Sequence, residues 1–555
     1  MVQMSGGQAV VQTLITLGAR AGFGVPGESY LAVLDAFCDA PGFRFIGCRN
    51  EGGAAFMAEA WAKLTGEMGL CFVTRGPGAT NASIGVHTAM QASTPMLLFI
   101  GQVGLEHQGR EAFQEMDYRQ VFGPIAKYVT EITDVSRTPE IIRRAWSLAI
   151  SGRPGPVVIA LPEDVLTQSA QMQIPDAPIL PPKSAAVAED LELLAVKLQS
   201  AQRPVILAGG GRWEVQDRNA LQACARKLNI PVLTAFRYHD LFDNTDPLFV
   251  GEAGVGMTAN TKRLLTEADV VLAVNLRFGE MTTNAFTLFG ADRGAQWIAQ
   301  SHRSGDEFHK YVAPNLSMIS DPAPLLDGLR TRLEGQSMDQ IPAWATSARA
   351  GFSAAQTAKP QPSPVDMGVV TSTLQAVLPP DAIVTNGAGN FAIWPNKFMQ
   401  FSKHQRLLAP QSGAMGYGLP AAIAAKVAYP ERCVVCFAGD GDFQMNGQEL
   451  GAALQAGARP IVLIVNNGSY GTIRMHQERQ YPRRVSGTDM INPDFAALAR
   501  AYGFHGERIE RTEDFADAFS RALASPTGAV LDLNVASEAI TPGLTIKDLR
   551  YISDS

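Results

Sequence analysis

The sequence predicts an α/β protein of three doubly wound parallel-sheet domains, and three observations carry that expectation. The chain has 555 residues, too many for one core and enough for three domains of roughly 150–200 residues. Short Val/Ile/Leu runs that do not alternate with polar residues recur along it, as strands buried on both faces of a parallel sheet require. Amphipathic stretches separate these runs, and glycine-rich segments follow many of them.

In the first third, FRFIGC, GLCFVTRGPG, TPMLLFIGQ and GPVVIALP read as strands. A proline-rich connector, Gln173–Lys183, follows. RPVILAGGG, IPVLTAF and ADVVLAVNLRF form the second region, closed by a charged, helical and then proline-containing stretch at about Leu333–Pro364. The third region repeats the pattern with DAIVTNGAG, RLLAPQSGAMG, CVVCFAGDG, PIVLIVNNG and AVLDLNV. The expected domains are therefore 1–170, 186–335 and 362–555.

Composition narrows the class. Apolar content of 46%, charged content of 18% and a net charge of −7 suit an α/β enzyme and give no footprint for nucleic acid or an anionic membrane. No apolar run approaches the roughly 20 residues that span a bilayer. The opening MVQMSGGQAVVQTLITLGA lacks the basic region and cleavage site of a signal peptide and reads as a first amphipathic helix. Six scattered cysteines suit a reducing cytoplasm. Cys433 and Cys436, inside an apolar run with no second pair, read as buried strand residues.

The most telling segment is GDGDFQMNGQEL (Gly439–Leu450), followed across a helix and an apolar strand by NNGSYG (Asn466–Gly471). Ligands of open parallel sheets sit at the carboxyl ends of strands, and both segments fall there. GPGATN, GAGN and SGAMGYG do too. Asp440 offers a charge, Asn467 an amide oxygen and Ser469 a backbone carbonyl. Such hard oxygen ligands suit Mg²⁺, which commonly shares its shell with phosphates. Gly439 and Gly441 leave room for backbone to approach those phosphates, and helix formation after Gly441 aims free N–H groups at the anion. A lone GDG is often a simple turn; the second motif after a buried strand removes that reading.

This pair resembles the thiamine-diphosphate motif. Other segments are similar to that superfamily in the order of its acetolactate synthase-like branch. RNEGGAAFMAEAWAKLTG (Arg49–Gly66), VTRGPGATN (Val73–Asn81), AFQE (Ala112–Glu115) and RPGPVVIALPEDV (Arg153–Val165) resemble its pyrimidine-binding domain. GAGNFAIW (Gly387–Trp394) and SGAMGYGLPAAIAAK (Ser412–Lys426) resemble its diphosphate-binding domain.

The resemblance implies roles for individual residues. Glu51 hydrogen-bonds N1′ of the aminopyrimidine and so promotes deprotonation of thiazolium C2. It follows Asn50, a good helix cap, among small and apolar neighbours. Burial opposes its anion, while the first helical turn favours it by roughly 0.3–1 kcal/mol. Met415 is the apolar wedge under the bent cofactor, and the carbonyls of Gly413 and Met415 bind the pyrimidine edge. Asn390 and Phe391 contact the diphosphate through their backbone. Gly439, Asp440, Gly441 and Asp442 complete the cofactor contacts with Asn467, Ser469, Tyr470 and Gly471. Gln114 faces the reacting centre, and Pro77 and Asn81 shape the wall beside Glu51. Glu28, Ser29 and Phe113 border the substrate.

The chain departs from flavin-containing acetolactate synthases. Thr472 and His476 stand where those enzymes often carry Met and Trp, which changes the acceptor pocket. Gly209–Gly211 after a strand lacks the full G-x-G-x-x-G pattern, and Leu276–Glu280 only partly resembles a flavin contact. Bound FAD, bound ADP and an empty central cleft all stay open. No paired histidines of the pyruvate decarboxylase type follow the first sheet.

The expected activity is decarboxylation of a pyruvate-type 2-oxo acid and ligation to a second carbonyl. The alternatives are a 2-oxo acid decarboxylase, a diketone lyase, or an oxidase using thiamine diphosphate and FAD. The family builds its site between two chains, so a homodimer or homotetramer is implied.

Overall fold

The computed structural model describes residues 1–290, 294–335 and 341–554 of the chain. Three six-stranded parallel sheets and one two-stranded antiparallel pair account for its strands. β1 (Val2–Ser5) opens the chain. The first sheet holds β2 (Ala21–Gly24), β3 (Arg44–Gly47), β4 (Gly69–Val73), β5 (Met96–Gln102), β6 (Tyr128–Glu131) and β7 (Pro156–Pro162). Their order is β3-β2-β4-β5-β7-β6. β8 (Ser169–Met172) then pairs antiparallel with β1, Val2 opposite Met172.

The central sheet consists of β9 (Pro204–Ala208), β10 (Val232–Ala235), β11 (Phe249–Ala253), β12 (Val270–Val274), β13 (Trp297–His302) and β14 (Leu316–Ile319), in the order β11-β10-β9-β12-β13-β14. The third sheet has β15 (Ile383–Asn386), β16 (Arg406–Leu408), β17 (Val434–Gly439), β18 (Ile461–Asn466), β19 (His505–Ile509) and β20 (Ala529–Asn534), in the order β16-β15-β17-β18-β20-β19. Numbered within its own domain, the third sheet repeats the first, 2-1-3-4-6-5. The central sheet runs 3-2-1-4-5-6, the nucleotide-binding order of doubly wound folds.

The strands form where the apolar runs are. β4, β5, β7, β9, β12 and β17 are buried along their whole lengths, because helices cover both faces. One expectation needs correction. Residues 2–5 are a strand, and the first helix is only Gly6–Thr16. Ser5 starts it: the Gln8 N–H donates to Ser5 Oγ at 3.2 Å while the Ser5 N–H donates to Gln8 Oε1 at 3.0 Å. That capping box fixes the boundary.

Residues 336–340 of the second connector lie outside the described residues. All six cysteines are free thiols; Cys436 is buried in β17, and Cys433, just before it, is half-buried. Among the described residues no helix is long and apolar enough to cross a membrane.

Core packing joins the first and third domains directly. The helix Glu51–Thr65 lies against Gly418–Ala428, and their residues share one continuous apolar cluster. Within that contact Tyr417 donates its hydroxyl to the fully buried Glu59 at 2.5 Å, and Lys63 pairs with the same carboxylate at 3.0 Å.

Candidate active site at two strand rims

β15 and β17 are neighbours whose chains leave in opposite directions, one to β16 and the other to β18. Such a switch point opens a crevice at the carboxyl ends. A cavity of about 260 Å³ occupies it. After β15 come Gly389, Asn390 and Phe391; after β17 come Gly439, Asp440, Gly441 and Asp442. The turn beyond β18 adds Asn467, Ser469, Tyr470, Gly471 and Thr472, and Gly413 and Met415 complete the wall.

Asp440 is the first residue of the helix Asp440–Asn446, so the helix begins one position before Gly441. Its side chain is buried and has no cation paired with it among the described residues. Burial raises its pKa, since a desolvated carboxylate without a counter-charge favours the neutral form. The side-chain donor that steadies it is Asn492, Nδ2 lying 2.7 Å from Oδ2, and the backbone at Gly441 and Gly468 also favours the carboxylate. Asn467 is half-buried beside it, its Oδ1 accepting the Ser469 N–H at 3.1 Å. The Ser469 carbonyl accepts the Gly471 N–H at 2.8 Å and keeps a second lone pair. Among the described residues no group of three or more His, Cys, Asp or Glu stands ready for a metal. A cation here would therefore take one carboxylate and neutral oxygens, the donor set of Mg²⁺ bound with a phosphate. The residues fit that group.

The glycines of the motif also seat two aromatic rings. A Cβ on Gly439 would stand 2.7 Å from the Phe391 ring, and one on Gly441 would stand 2.7 Å from the Tyr470 ring. Both rings pack on bare backbone and close the crevice.

On the first sheet the corresponding rim holds Glu51. Asn50 caps its helix, accepting the Gly52 N–H at 2.8 Å. Asn81 Nδ2 donates to Glu51 Oε2 at 2.9 Å, so two predicted residues meet. Pro77 opens the neighbouring helix Gly76–Ala92 at the same rim. Glu51 is half-buried, and Pro77 and Asn81 are exposed. None of the three lines the Asp440 cavity of the same chain. Gln114 adopts φ 66°, and its carbonyl accepts the Gly76 N–H at 3.0 Å; Phe113 beside it is 75% exposed.

Ser29 is buried with its Oγ 2.9 Å from Thr74 Oγ1. Glu28 lies 3.7 Å from the Arg75 guanidinium. Thr472 lines the cavity, taking the Asn390 N–H at 2.9 Å and donating to its Oδ1 at 3.0 Å. His476 is exposed and outside the lining.

Three contacts escape a reading by motif. Asn492 steadies Asp440 from a distant loop. Asp442 turns its carboxylate away from solvent to accept the N–H groups of Ala388 at 3.1 Å and Gly416 at 2.9 Å, tying together two loops of the cavity; burial pushes its pKa up to about 7. Glu449, fully buried, accepts the N–H groups of Arg49 at 3.0 Å and Asn50 at 2.8 Å. It therefore grips the start of the Glu51 helix, and Gly53 makes room for it. The only sequence signal was an acid inside the apolar run NGQELGAAL.

These features describe a crevice whose residues fit an anionic cofactor bound through a cation. Family models agree. The N-terminal thiamine pyrophosphate-binding domain of thiamine pyrophosphate enzymes matches residues 4–121, the central domain 191–329, and the C-terminal thiamine pyrophosphate-binding domain 387–533. The chain is 34% identical to the acetolactate synthase large subunit of Parasynechococcus marenigrum, over 96% of this chain and 88% of that protein. It is 32% identical to the acetolactate synthase isozyme 3 large subunit of Escherichia coli, over 94% and 93%. With the large subunit of Lactococcus lactis it shares 33%, over 92% and 89%. The chain belongs to the thiamine-diphosphate enzymes, in their acetolactate synthase-like branch.

Proposed function

We propose that the protein is a carboligase that decarboxylates a pyruvate-type 2-oxo acid and joins the remaining fragment to a second carbonyl, using thiamine diphosphate and Mg²⁺. The observation that carries this reading is the buried, uncompensated Asp440 beside Asn467 at the β15/β17 switch point. The similarity to acetolactate synthases along nearly the whole chain supports the reaction class. When bound, thiamine diphosphate supplies a carbon nucleophile and an electron sink.

The chain's own residues supply the rest. Asp440, Asn467 and the Ser469 carbonyl hold the cation, and the turns at Gly389–Phe391 and Tyr470–Gly471 enclose the diphosphate. Met415 and Gly413 shape the pyrimidine side. Glu51 carries the proton relay at the pyrimidine ring, with Asn81 fixing its carboxylate. Thr472 holds the Asn390 turn at the boundary with the substrate pocket.

Within one chain Glu51 stands outside the Asp440 cavity, which supports a site completed by a second copy. The functional assembly is then a homodimer or a pair of dimers, each chain built of units near 1–170, 186–335 and 362–555. The central cleft, about 490 Å³ and bordered by Gly210, Tyr238 and Arg277, is the place for FAD or ADP; a yellow purified protein identifies the flavin. A panel of 2-oxo acids offered with thiamine diphosphate and Mg²⁺ tests the reaction. Acetoin- or acetolactate-type products support ligation, whereas free aldehyde alone makes the protein a decarboxylase and overturns it.

A further inference from the structure

A cavity of about 640 Å³ opens where the three domains meet, larger than the cofactor cavity and sharing none of its lining. It meets the central cleft only at Gly210, Arg237 and Tyr238. Although the chain carries a net charge of −7, seven Lys and Arg side chains line this cavity against three carboxylates. Asp240 is taken by Arg406 at 2.6 Å, and Glu214 by Arg212 at 3.1 Å. Outside the lining, Glu59 pairs with Lys63 at 3.0 Å and Asp381 lies 3.8 Å from Arg432, so that Arg218, Arg237 and Lys403 are left without an ion pair among the described residues.

Two of them are telling. Arg237 is 8% exposed; its terminal nitrogens donate to the carbonyls of Pro410 and Gly387, and its Nε has no partner among the described residues. Arg218 has one long contact, to the Trp213 carbonyl at 3.5 Å, and its Nε is also unpartnered. A guanidinium donor shielded from solvent and left idle is costly, and an anion in this cavity would meet two such donors. Burial and the nearby Arg406 cation work against the Arg218 charge, ahead of the support it draws from Asp240 and Asp217. The other wall is apolar, with Trp146, Ile150, Ile179 and Pro181. The volume lies within the usual range for small-molecule sites.

We propose that this junction binds a nucleotide-sized organic phosphate as an effector. Its phosphates would sit among Arg218, Arg406 and Arg432, and its planar body against Trp146 and Trp213. Arginine forks match phosphate oxygens bidentately, and one carboxylate would leave most of the excess charge unanswered. Arg237 links this site to the cofactor cavity, because the Gly387 carbonyl it holds precedes the turn Ala388–Phe391 that lines that cavity. Binding at the junction and binding of cofactor are therefore coupled, and the coupling is reciprocal. The binding itself does not depend on which reaction the enzyme performs.

The test uses the full chain saturated with thiamine diphosphate and Mg²⁺, titrated with ATP and separately with inorganic phosphate. Fluorescence is the readout, since Trp146 and Trp213 line the cavity. ATP should give a saturable change and bind more tightly than phosphate. Arg218→Gln should weaken ATP about 30-fold, as loss of a buried charge partner does. Arg432→Gln, nearer the rim, should weaken it about threefold, as for a more exposed charge, and decides the matter if Arg218→Gln unfolds early. Arg277→Gln, in the central cleft alone, should leave the titration unchanged. ATP affinity should also differ between cofactor-loaded and cofactor-free protein. The proposal is overturned by the absence of a saturable change, by phosphate binding as tightly as ATP, by an unaltered titration in both cavity variants, or by loss in Arg277→Gln. Equal ATP affinity with and without cofactor removes the effector role.

Discussion

The first and third sheets have the same strand order, yet their rims carry different side-chain chemistry. After β17 the third sheet presents a buried carboxylate with no cation paired to it among the described residues, and after β18 it presents neutral oxygens. After β3 the first sheet presents a half-buried carboxylate held by an amide, with no metal-ready cluster among the described residues. Topology thus decides where a site can form. The residue that follows each strand decides its chemistry, and in the function proposed above one rim grips phosphate while the other moves a proton.

The largest expected effect tests the proton-moving rim. Glu51→Gln should lower turnover by about 10³-fold, within the span of general acid–base contributions, while thiamine diphosphate still binds; isotope exchange at C2 of bound cofactor measures it. Equal exchange in both proteins would end the division of labour between rims.

The gripping rim comes next. Asn492→Ala removes the side-chain donor to Asp440 and should weaken Mg²⁺-dependent cofactor binding by about 10–100-fold, as loss of an outer-shell partner does. Calorimetric titration of the apoprotein reads this directly, and C2 exchange at saturation should be spared.

A third effect concerns the bridge between the rims. Burial pushes Glu449 up to about 7 from 4.5, ahead of the opposing backbone N–H donors. The folded state therefore holds a proton that the unfolded state has released, and this contribution to stability is present below about pH 4.5 and lost as pH rises through 7. It amounts to a few kcal/mol at most, at about 1.4 kcal/mol per pK unit. Glu449→Gln should flatten the fall in melting temperature across that window. An unchanged slope would place the titration elsewhere.

The smallest effect is local. Asn50→Ala removes the cap of the Glu51 helix and should cost about 1 kcal/mol, seen as a modest drop in the denaturant midpoint.

The sequence made the two rims legible unevenly. β4, β5, β7, β17 and β18 announce themselves as unbroken apolar runs, and the third rim follows them with glycine, aspartate and asparagine in sequence order. Strands such as β2, β6, β13 and β19 carry glycine or polar residues (AGFG, YVTE, WIAQSH, HGERI), and their pairing comes from neighbours distant in the chain. β1 is hidden for the same reason, since β8 makes it a strand. Asn492 and Glu449 act across space on residues of other elements, which no local pattern encodes. The Glu51 rim was legible chiefly through its resemblance to a family, because a first-turn glutamate is by itself an ordinary helix start.

The pairing of β1 with β8 has a consequence for how such molecules arise. A folding unit whose entry and exit lie side by side can be copied, spliced or traded without stretching the chain on either flank. Shared strand order between the outer sheets is what one would expect if such a cassette had once been duplicated, with a nucleotide-type module later set between the copies.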